Sequence, residues 1–272
     1  MKKNALSIIL VYYNTPVEII DCIKSIPEAA EDLSYEIIIV NNNSPKPLPA
    51  NLKRSKRLSI IENDNNYGYG RAINQAVKIA KGEFLLVLNP DTICTKDSIK
   101  SMVERIKQDR KIGVLGPQQI DKKEKIIHSI GSMPKLPDAL FALSFIDNIW
   151  PQNPYSKKFW ARDVDRNKEQ ETETVGGACM LFRKKIFEKI EGFDERFFMY
   201  FEEADICLRI KKLGYKILYY PQAKIRHLIG KSNTNRRWVK KTFEESRYKF
   251  FKKYYGLPIA SSAELFLRIV SV

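Results

Sequence analysis

The feature that most narrows the fold is an alternation in the first half of the chain, where short apolar runs exchange places with amphipathic stretches of helical length. Ser7–Tyr13, Glu36–Val40, Leu58–Ile61, Phe84–Leu88 and Gly113–Leu115 read as strands. Between them, Val17, Ile20, Ile23 and Ile26 keep helical spacing, with Ile19 widening the face, and Pro27 is expected to end that helix. Ala72–Ala80 places Ile73, Ala76, Val77 and Ala80 on one face, and Ser98–Ile106 does the same with Ile99, Met102, Val103 and Ile106. Strands joined by crossover helices predict an α/β fold with a mostly parallel sheet.

The polar turns fall at the carboxyl ends of these strands. Asn41-Asn42-Asn43-Ser44-Pro45 follows the second, and Asn89-Pro90-Asp91 follows the fourth. In open α/β sheets that edge is where ligands bind. From about Asp121 to Thr174 the pattern blurs around Pro134, Pro137, Pro151 and Pro154. A mobile lid or acceptor loop and an irregular structural excursion are both open there. Regularity returns at Val175.

Lysine and arginine outnumber aspartate and glutamate by 47 to 32, a formal +15. Between Arg209 and Lys253, fifteen basic residues face only Glu244 and Glu245, so that segment alone carries +13. Charge concentrated in one late segment points to a local anionic partner, phosphate or a lipid surface. It does not match the basic and aromatic surface of a nucleic-acid-binding domain. Cys22, Cys94, Cys179 and Cys207 are scattered without a C-x-x-C pair, which suits a reducing compartment. The opening run Ala5–Tyr13 is too short to span a bilayer, and no later stretch reaches ~18 apolar residues, so a soluble or membrane-surface protein is expected.

Several clusters carry chemistry. A carboxylate in Asn89-Pro90-Asp91 can hold a hard divalent cation that neutralises a diphosphate. The alternative is an Asx-type turn with Thr95 or Asp97 capping the next helix. In Phe197-Phe198-Met199-Tyr200-Phe201, five apolar residues precede Glu202, Glu203 and Asp205. Acids in a first helical turn are favoured by the helix dipole, but the apolar run also places them beside a poorly hydrated pocket, where a carboxylate serves as a general base. His227 ends a strand-like run after Pro221 and is either structural or a metal ligand. Asn65–Asn74 is a glycine-containing loop opening a helix, but it lacks both the G-x-G-x-x-G spacing and the Walker lysine. Gly176-Gly177-Ala178 either admits a ligand close to the backbone or relieves crowding in a strand.

In this order the motifs resemble those of the family 2 glycosyltransferases, of the inverting, metal-dependent GT-A type, and especially the rhamnosyltransferase-like branch. The matching segments are Ile8–Asn14, Val40–Ser44, Asn66-Tyr67-Gly68 with Asn74, Asn89–Thr92, Gly177–Cys179, Gly192–Phe198, Glu202–Arg209, Gly214-Tyr215 and Pro221–His227, spanning about residues 5–232. The resemblance implies a GT-A fold, a Rossmann-like, mostly parallel central sheet flanked by helices. It implies a catalytic domain over 1–232, with a nucleotide-sugar-binding half to about 118 and an acceptor-binding and catalytic half from about 119. A basic, aromatic helical extension occupies 233–272.

The resemblance also implies roles. Tyr13, Asn42 and Arg71 would line the nucleoside pocket of a UDP- or dTDP-sugar, with Asn89 and Asp91 at the D-x-D metal motif. Asp91 and His227 would hold Mn²⁺ or Mg²⁺. Glu203 stands where the family has its aspartate base, with Glu202 and Asp205 in support, and Gly177 and Ala178 would border a glycan or lipid-linked acceptor. The expected setting is polysaccharide or cell-surface glycan assembly, in the cytoplasm or at the inner face of the membrane. The chain departs from the pattern at Asn41 and Asn89, which replace acids, and at Glu203, whose extra methylene leaves Glu202 as an alternative base. A sugar-phosphate nucleotidyltransferase would share the sheet, but its glycine-rich N-terminal loop with a basic residue is missing.

After His227, Lys231, Arg236, Arg237, Lys240 and Lys241 lead into Val239, Phe243, Ser246, Phe250 and Tyr254 at helical spacing, widened by Trp238, Phe251 and Tyr255. This aromatic face would lie on an anionic membrane or pack on the catalytic domain. Leu257–Val272 adds an apolar segment that docks similarly or frays.

Overall fold

A computed structural model describes residues 5–54, 57–228 and 235–270. The first half runs β1 (Leu6–Tyr12), α1 (Glu18–Ala30), β2 (Tyr35–Asn41), β3 (Leu58–Glu62), α2 (Tyr69–Ile79), β4 (Phe84–Leu88), β5 (Thr92–Cys94), α3 (Ser98–Gln108) and β6 (Ile112–Ile120). An excursion follows, with β7 (Ile130–Gly131), α4 (Leu136–Ala142), α5 (Phe145–Ile149), α6 (Pro154–Phe159), β8 (Gln170–Glu171) and β9 (Thr174–Val175). The chain ends with β10 (Cys179–Arg183), α7 (Lys184–Lys189), α8 (Glu202–Lys212), β11 (Lys216–His227), α9 (Arg236–Tyr255) and α10 (Leu257–Val270).

The main sheet has the order β3-β2-β1-β4-β10-β6-β11-β5, with β8 added on β11. Pairs β1–β2, β1–β4, β2–β3 and β6–β11 are parallel, while β10 runs antiparallel between β4 and β6. Successive residues of a strand point to opposite faces, and β1 shows the consequence. Its Ile8 and Leu10 pack with Ile19, Cys22, Met102 and Val103 on one side of the sheet, whereas Ile9 and Val11 pack with Ile73, Ala76 and Val77 on the other. Both faces are covered, which explains the continuous apolar runs.

The structure corrects the expected end of the first helix. Pro27 lies inside α1, which continues to Ala30 because Ala29 and Ala30 are fully buried and the Glu31 N–H donates to the Pro27 carbonyl at 3.0 Å. Pro27 forfeits its own bond to the Ile23 carbonyl, a cost that the burial of Ile26, Ala29 and Ala30 offsets. Pro221 likewise sits within β11, where the register against β6 shifts between Tyr220 and Lys224, as a bulge allows.

Residues 121–174 form a structured excursion. Asn153, fully buried, caps α6 by accepting from the Ser156 N–H at 2.8 Å, and Arg162 pairs with Asp147 at 2.8 Å. The C-terminal helices pack on the domain. Phe250 and Phe251 are buried with Phe197, Phe201, Ala204 and Ala139 in a third cluster, which also takes in Ala260 and Ala263 of α10. The aromatic face of α9 is therefore turned inward. Lys231 lies outside the described residues, among which no helix is long and apolar enough to cross a membrane.

Candidate active site

The carboxyl ends of β1, β2 and β4 open into a cavity of about 370 Å³. It gathers Tyr13, Asn42, Asn89, Asp91, Gly177, Ala178, Glu202, Glu203 and His227 from segments spread over more than 200 residues of sequence. Each arrives by a different local device. Asn42 is buried and spends its whole amide on the chain: it donates to Asn66 Oδ1 (2.8 Å) and the Gly68 carbonyl (3.1 Å), and accepts from Asn63 (3.0 Å) and the Tyr67 N–H (3.1 Å). It thus holds the loop before α2 against the end of β2.

Asp91 and His227 meet because β5 pairs antiparallel with the end of β11, His227 opposite Thr92, and the Leu228 N–H donates to the Asp91 carbonyl at 2.9 Å. The His227 Nε2 lies 3.4 Å from Asp91 Oδ1. Its Nδ1 is 3.2 Å from Gln119 Oε1, and with that amide oxygen accepting, Nδ1 donates and Nε2 is turned toward the carboxylate. A carboxylate oxygen beside an imidazole nitrogen, with the Gln119 amide orienting the ring, is an arrangement that suits a cation when the imidazole is neutral. Among the described residues no group of three or more His, Cys, Asp and Glu gathers as a complete metal site. The alternative capping role is not seen, since Asp97 occupies the cap of α3 without a side-chain hydrogen bond to it.

Glu202 and Glu203 open α8. They are presented by Tyr200 and Phe201, two consecutive non-glycine residues in the left-handed region with φ of 72° and 65°. Such backbone persists only where its surroundings enforce it, and here Phe243 packs on both rings while the Ser246 hydroxyl donates to the Met199 carbonyl at 2.7 Å. One carboxyl oxygen of each glutamate is buried without a hydrogen-bond partner. Burial, then the charge of Glu203, pushes the Glu202 carboxyl well above the usual carboxylate range, and burial raises Glu203 as well.

Tyr69 is a wall residue that the sequence reading passed over. Its hydroxyl lies 2.8 Å from both Asn89 Oδ1 and the Gly177 carbonyl, tying the turn after β4 to the turn before β10. Burial, followed by the charges of Glu202 and Glu203, raises its phenol well above the normal value, so it stays a donor. Gly68 sets its position: with φ at +85°, a Cβ there would lie 2.5 Å from the Phe198 carbonyl oxygen that accepts the Tyr69 N–H at 2.8 Å. The only sequence signal was an aromatic residue opening a helix after glycine. Gln119, which orients His227, gave none; Trp238 and Val239 showed only as part of the α9 face at helical spacing, and they bring α9 to the cavity wall.

Two expected site residues, Arg71 and Asp205, stand elsewhere, and the motif residue Asn74 has a structural role. Arg71 is exposed, stacked 4.2 Å from the Tyr67 ring centroid and 3.6 Å from Glu195. Asp205 is fully buried away from the cavity, bonded to Arg209 (2.7 Å), Tyr254 (2.6 Å) and Lys253, where it fastens α9 to α8. Two residues after Glu203, Asp205 sits about 200° further around α8, so it turns to Arg209 and α9 and does not flank the proposed base. Asn74 clamps the Phe193 backbone, accepting from its N–H at 2.9 Å and donating to its carbonyl at 2.8 Å. Gly177 and Ala178 lie in a turn between β9 and β10, where the Ala178 carbonyl accepts from the Asn89 N–H at 2.9 Å.

Residues 7–191 match the family described as Glycosyl transferase family 2. The chain belongs to glycosyltransferase family 2. Residues 162–231 of this glycosyltransferase also match the family described as N-terminal domain of galactosyltransferase. It is 28% identical over 211 residues to the N-acetylglucosaminyl-diphospho-decaprenol L-rhamnosyltransferase of Mycobacterium tuberculosis, covering 73% of this chain and 68% of that one. With the rhamnosyltransferase WbbL of Escherichia coli it shares 27% identity over 222 residues, 79% of this chain and 80% of that one. The solved mannosyltransferase of Pyrobaculum calidifontis, in complex with GDP-Man and Mn²⁺, superposes with a TM-score of 0.64 at 16% identity, covering 99% of this chain and 71% of that one. The shared architecture is the GT-A fold.

Proposed function

We propose that this glycosyltransferase moves a hexosyl group from a UDP- or dTDP-sugar to a hydroxyl of a lipid-linked or glycan acceptor, with inversion. Rhamnosyl transfer is the case that the two rhamnosyltransferase relatives support. The observation that carries the reading is one cavity in which the Asp91–His227 pair and the two unpartnered glutamates converge around Gly177 and Ala178. Asp91 and His227 would hold Mn²⁺ or Mg²⁺; two protein donors suit such an ion, which commonly takes its remaining ligands from water and substrate phosphates. When bound, the ion supplies charge neutralisation for the departing diphosphate.

Glu203 is the base in this reading. Burial raises both carboxyls, so the pair holds a proton between them; Glu203, at the position of the family's aspartate base, accepts the proton of the acceptor hydroxyl. The acceptor oxygen forms its bond to the anomeric carbon from the face opposite the diphosphate, and the bond to the diphosphate oxygen breaks with its electron pair leaving on that oxygen. Tyr69 positions Asn89 and Gly177 on either side of the reacting centre. Glu203→Gln is expected to lose transfer while Glu202→Gln retains part of it; the reverse ranking assigns the base to Glu202. A melting-temperature panel of nucleoside diphosphates and nucleotide-sugars, with and without Mn²⁺, tests donor and ion together, since a ligand that binds only the folded state raises apparent stability. No shift in the wild type, or an equal Mn²⁺-dependent shift in Asp91→Ala, overturns the assignment.

A further inference from the structure

Among the described residues, large exposed apolar side chains concentrate on two helices. Ile149, beside Trp150 at the end of α5, and Ile269 on α10 are each 75% exposed, and Leu265 is 63% exposed. In α10 the buried positions Ala260, Ala263, Glu264 and Leu267 follow one helical face. Ile259, Leu265, Phe266 and Ile269 fall on the face turned away from them, and all four are exposed. A surface helix that is apolar on both sides has a partner on each. α9 and α4 cover one side of α10.

The charge beside this face identifies the other partner. Arg237, Lys241 and Lys252, spaced four and eleven apart, share the exposed side of α9. A groove of about 410 Å³ between the two helices has Lys241, Glu244 and Glu245 on one wall and Glu264, Leu265 and Arg268 on the other, so the net positive charge beside the face comes from the exposed cations of α9 outside the groove. Lys241 pairs with Glu245 at 3.9 Å and Arg268 with Glu264 at 3.5 Å, and both basic side chains are still more than 70% exposed. Apolar residues in one stripe with lysine and arginine along its border are the chemistry of a helix lying in a lipid interface. A second copy of the chain fits less well, because a two-fold contact through α10 would bring the basic stretch of α9 toward its own symmetry mate.

We propose that the outward face of α10, bordered by the exposed cations of α9, docks this glycosyltransferase on an anionic membrane. This moves the lipid-facing surface from the aromatic side of α9, which is buried against the domain, to a helix whose sequence suggested only docking or fraying. α9 links the two functions, since its first turn also places Trp238 and Val239 on the cavity wall. The proposal goes beyond the transfer reading and rests on the surface chemistry alone.

The test is co-sedimentation of the full chain with phosphatidylcholine vesicles, with and without phosphatidylglycerol. Binding is expected only to the anionic vesicles and should weaken with salt. Leu265→Glu with Ile269→Glu should lower partitioning by about tenfold or more, with the melting temperature and transfer to a soluble acceptor unchanged. Equal binding of variant and wild type overturns the proposal, as does binding indifferent to phosphatidylglycerol. Concentration-dependent dimerisation of the wild type that the same variant abolishes assigns the face to a second copy and also overturns it. Vesicle binding without transfer to any acceptor would count against the proposed reaction while leaving this surface standing.

Discussion

Removing one oxygen from Tyr69 tests how the cavity is held together. In Tyr69→Phe the ring stays in its packing, 6.4 Å from the Phe193 ring centroid, but Asn89 Oδ1 and the Gly177 carbonyl lose the hydroxyl that sits 2.8 Å from each. A net hydrogen bond contributes about 1 kcal/mol, and a stranded buried acceptor costs about 1–3 kcal/mol. Both acceptors border the cavity, where water replaces part of the loss, so the expected cost is about 1–2 kcal/mol. For a chain of 272 residues, unfolding entropy scales to about 0.6 kcal/mol/K, which converts that cost to a fall of about 2–4 °C in melting temperature. The Asn89 amide also loses its orientation beside Asp91. A misplacement worth about 1.4 kcal/mol lowers kcat/KM about tenfold. The assay is a double-mutant cycle with Asn89→Ala, read by melting temperature and by steady-state transfer, with an expected coupling of about 1 kcal/mol. Strictly additive effects, or a Tyr69→Phe protein with wild-type melting and kinetics, would refute the bridging role.

Glu202→Gln should change the pH dependence of stability. Because burial and Glu203 raise the native Glu202 pKa, the folded chain holds a proton that the unfolded chain releases above about pH 4.3. Its stabilising contribution is complete below that pH and is lost as pH rises through the raised native value; the variant's melting temperature should therefore decline less between about pH 5 and 8, and an unchanged slope would sink the assignment. Asp205→Asn leaves Arg209 and Lys253 short of their buried counter-charge, and a loss of about 3 kcal/mol, or about 5 °C, is expected, with easier proteolysis of α9 and α10. Protease resistance equal to wild type would show that this cluster does not hold the helices. Gly68→Ala forces a Cβ against the Phe198 carbonyl at positive φ and should cost about 1–3 kcal/mol; a stable variant with an intact nucleotide-induced thermal shift would contradict the close approach.

Much of the central sheet was legible because its signals are local. The runs at Ile8–Tyr12, Ile37–Val40 and Phe84–Leu88 are apolar throughout, and buried parallel strands require that. The polar turns at Asn42 and Asn89 marked the ligand edge for a similar reason, since chain reversals there need residues that bond their own backbone. Where two effects competed, the local signal failed. Pro27 breaks helical hydrogen bonding, yet burial of Ala29 and Ala30 carries α1 past it. The prolines of 121–174 hid short helices whose stability comes from contacts such as Arg162–Asp147 and the buried Asn153 cap.

Periodicity, turn chemistry and ordered motifs are properties of neighbours along the chain, and they carry the α/β class, the family and most of the residue types at the cavity. Which of those residues meet depends on contacts between distant segments. Tyr69 reaches Gly177 across 108 positions because α2 and the turn before β10 converge at the same sheet edge. Asp91 faces His227 through the pairing of β5 with β11. Asp205, only two residues from Glu203, turns to the C-terminal helix, and α9's aromatic face is buried while α10's outward face is exposed. Register and helix rotation set these outcomes, and both are fixed by packing between segments far apart in sequence.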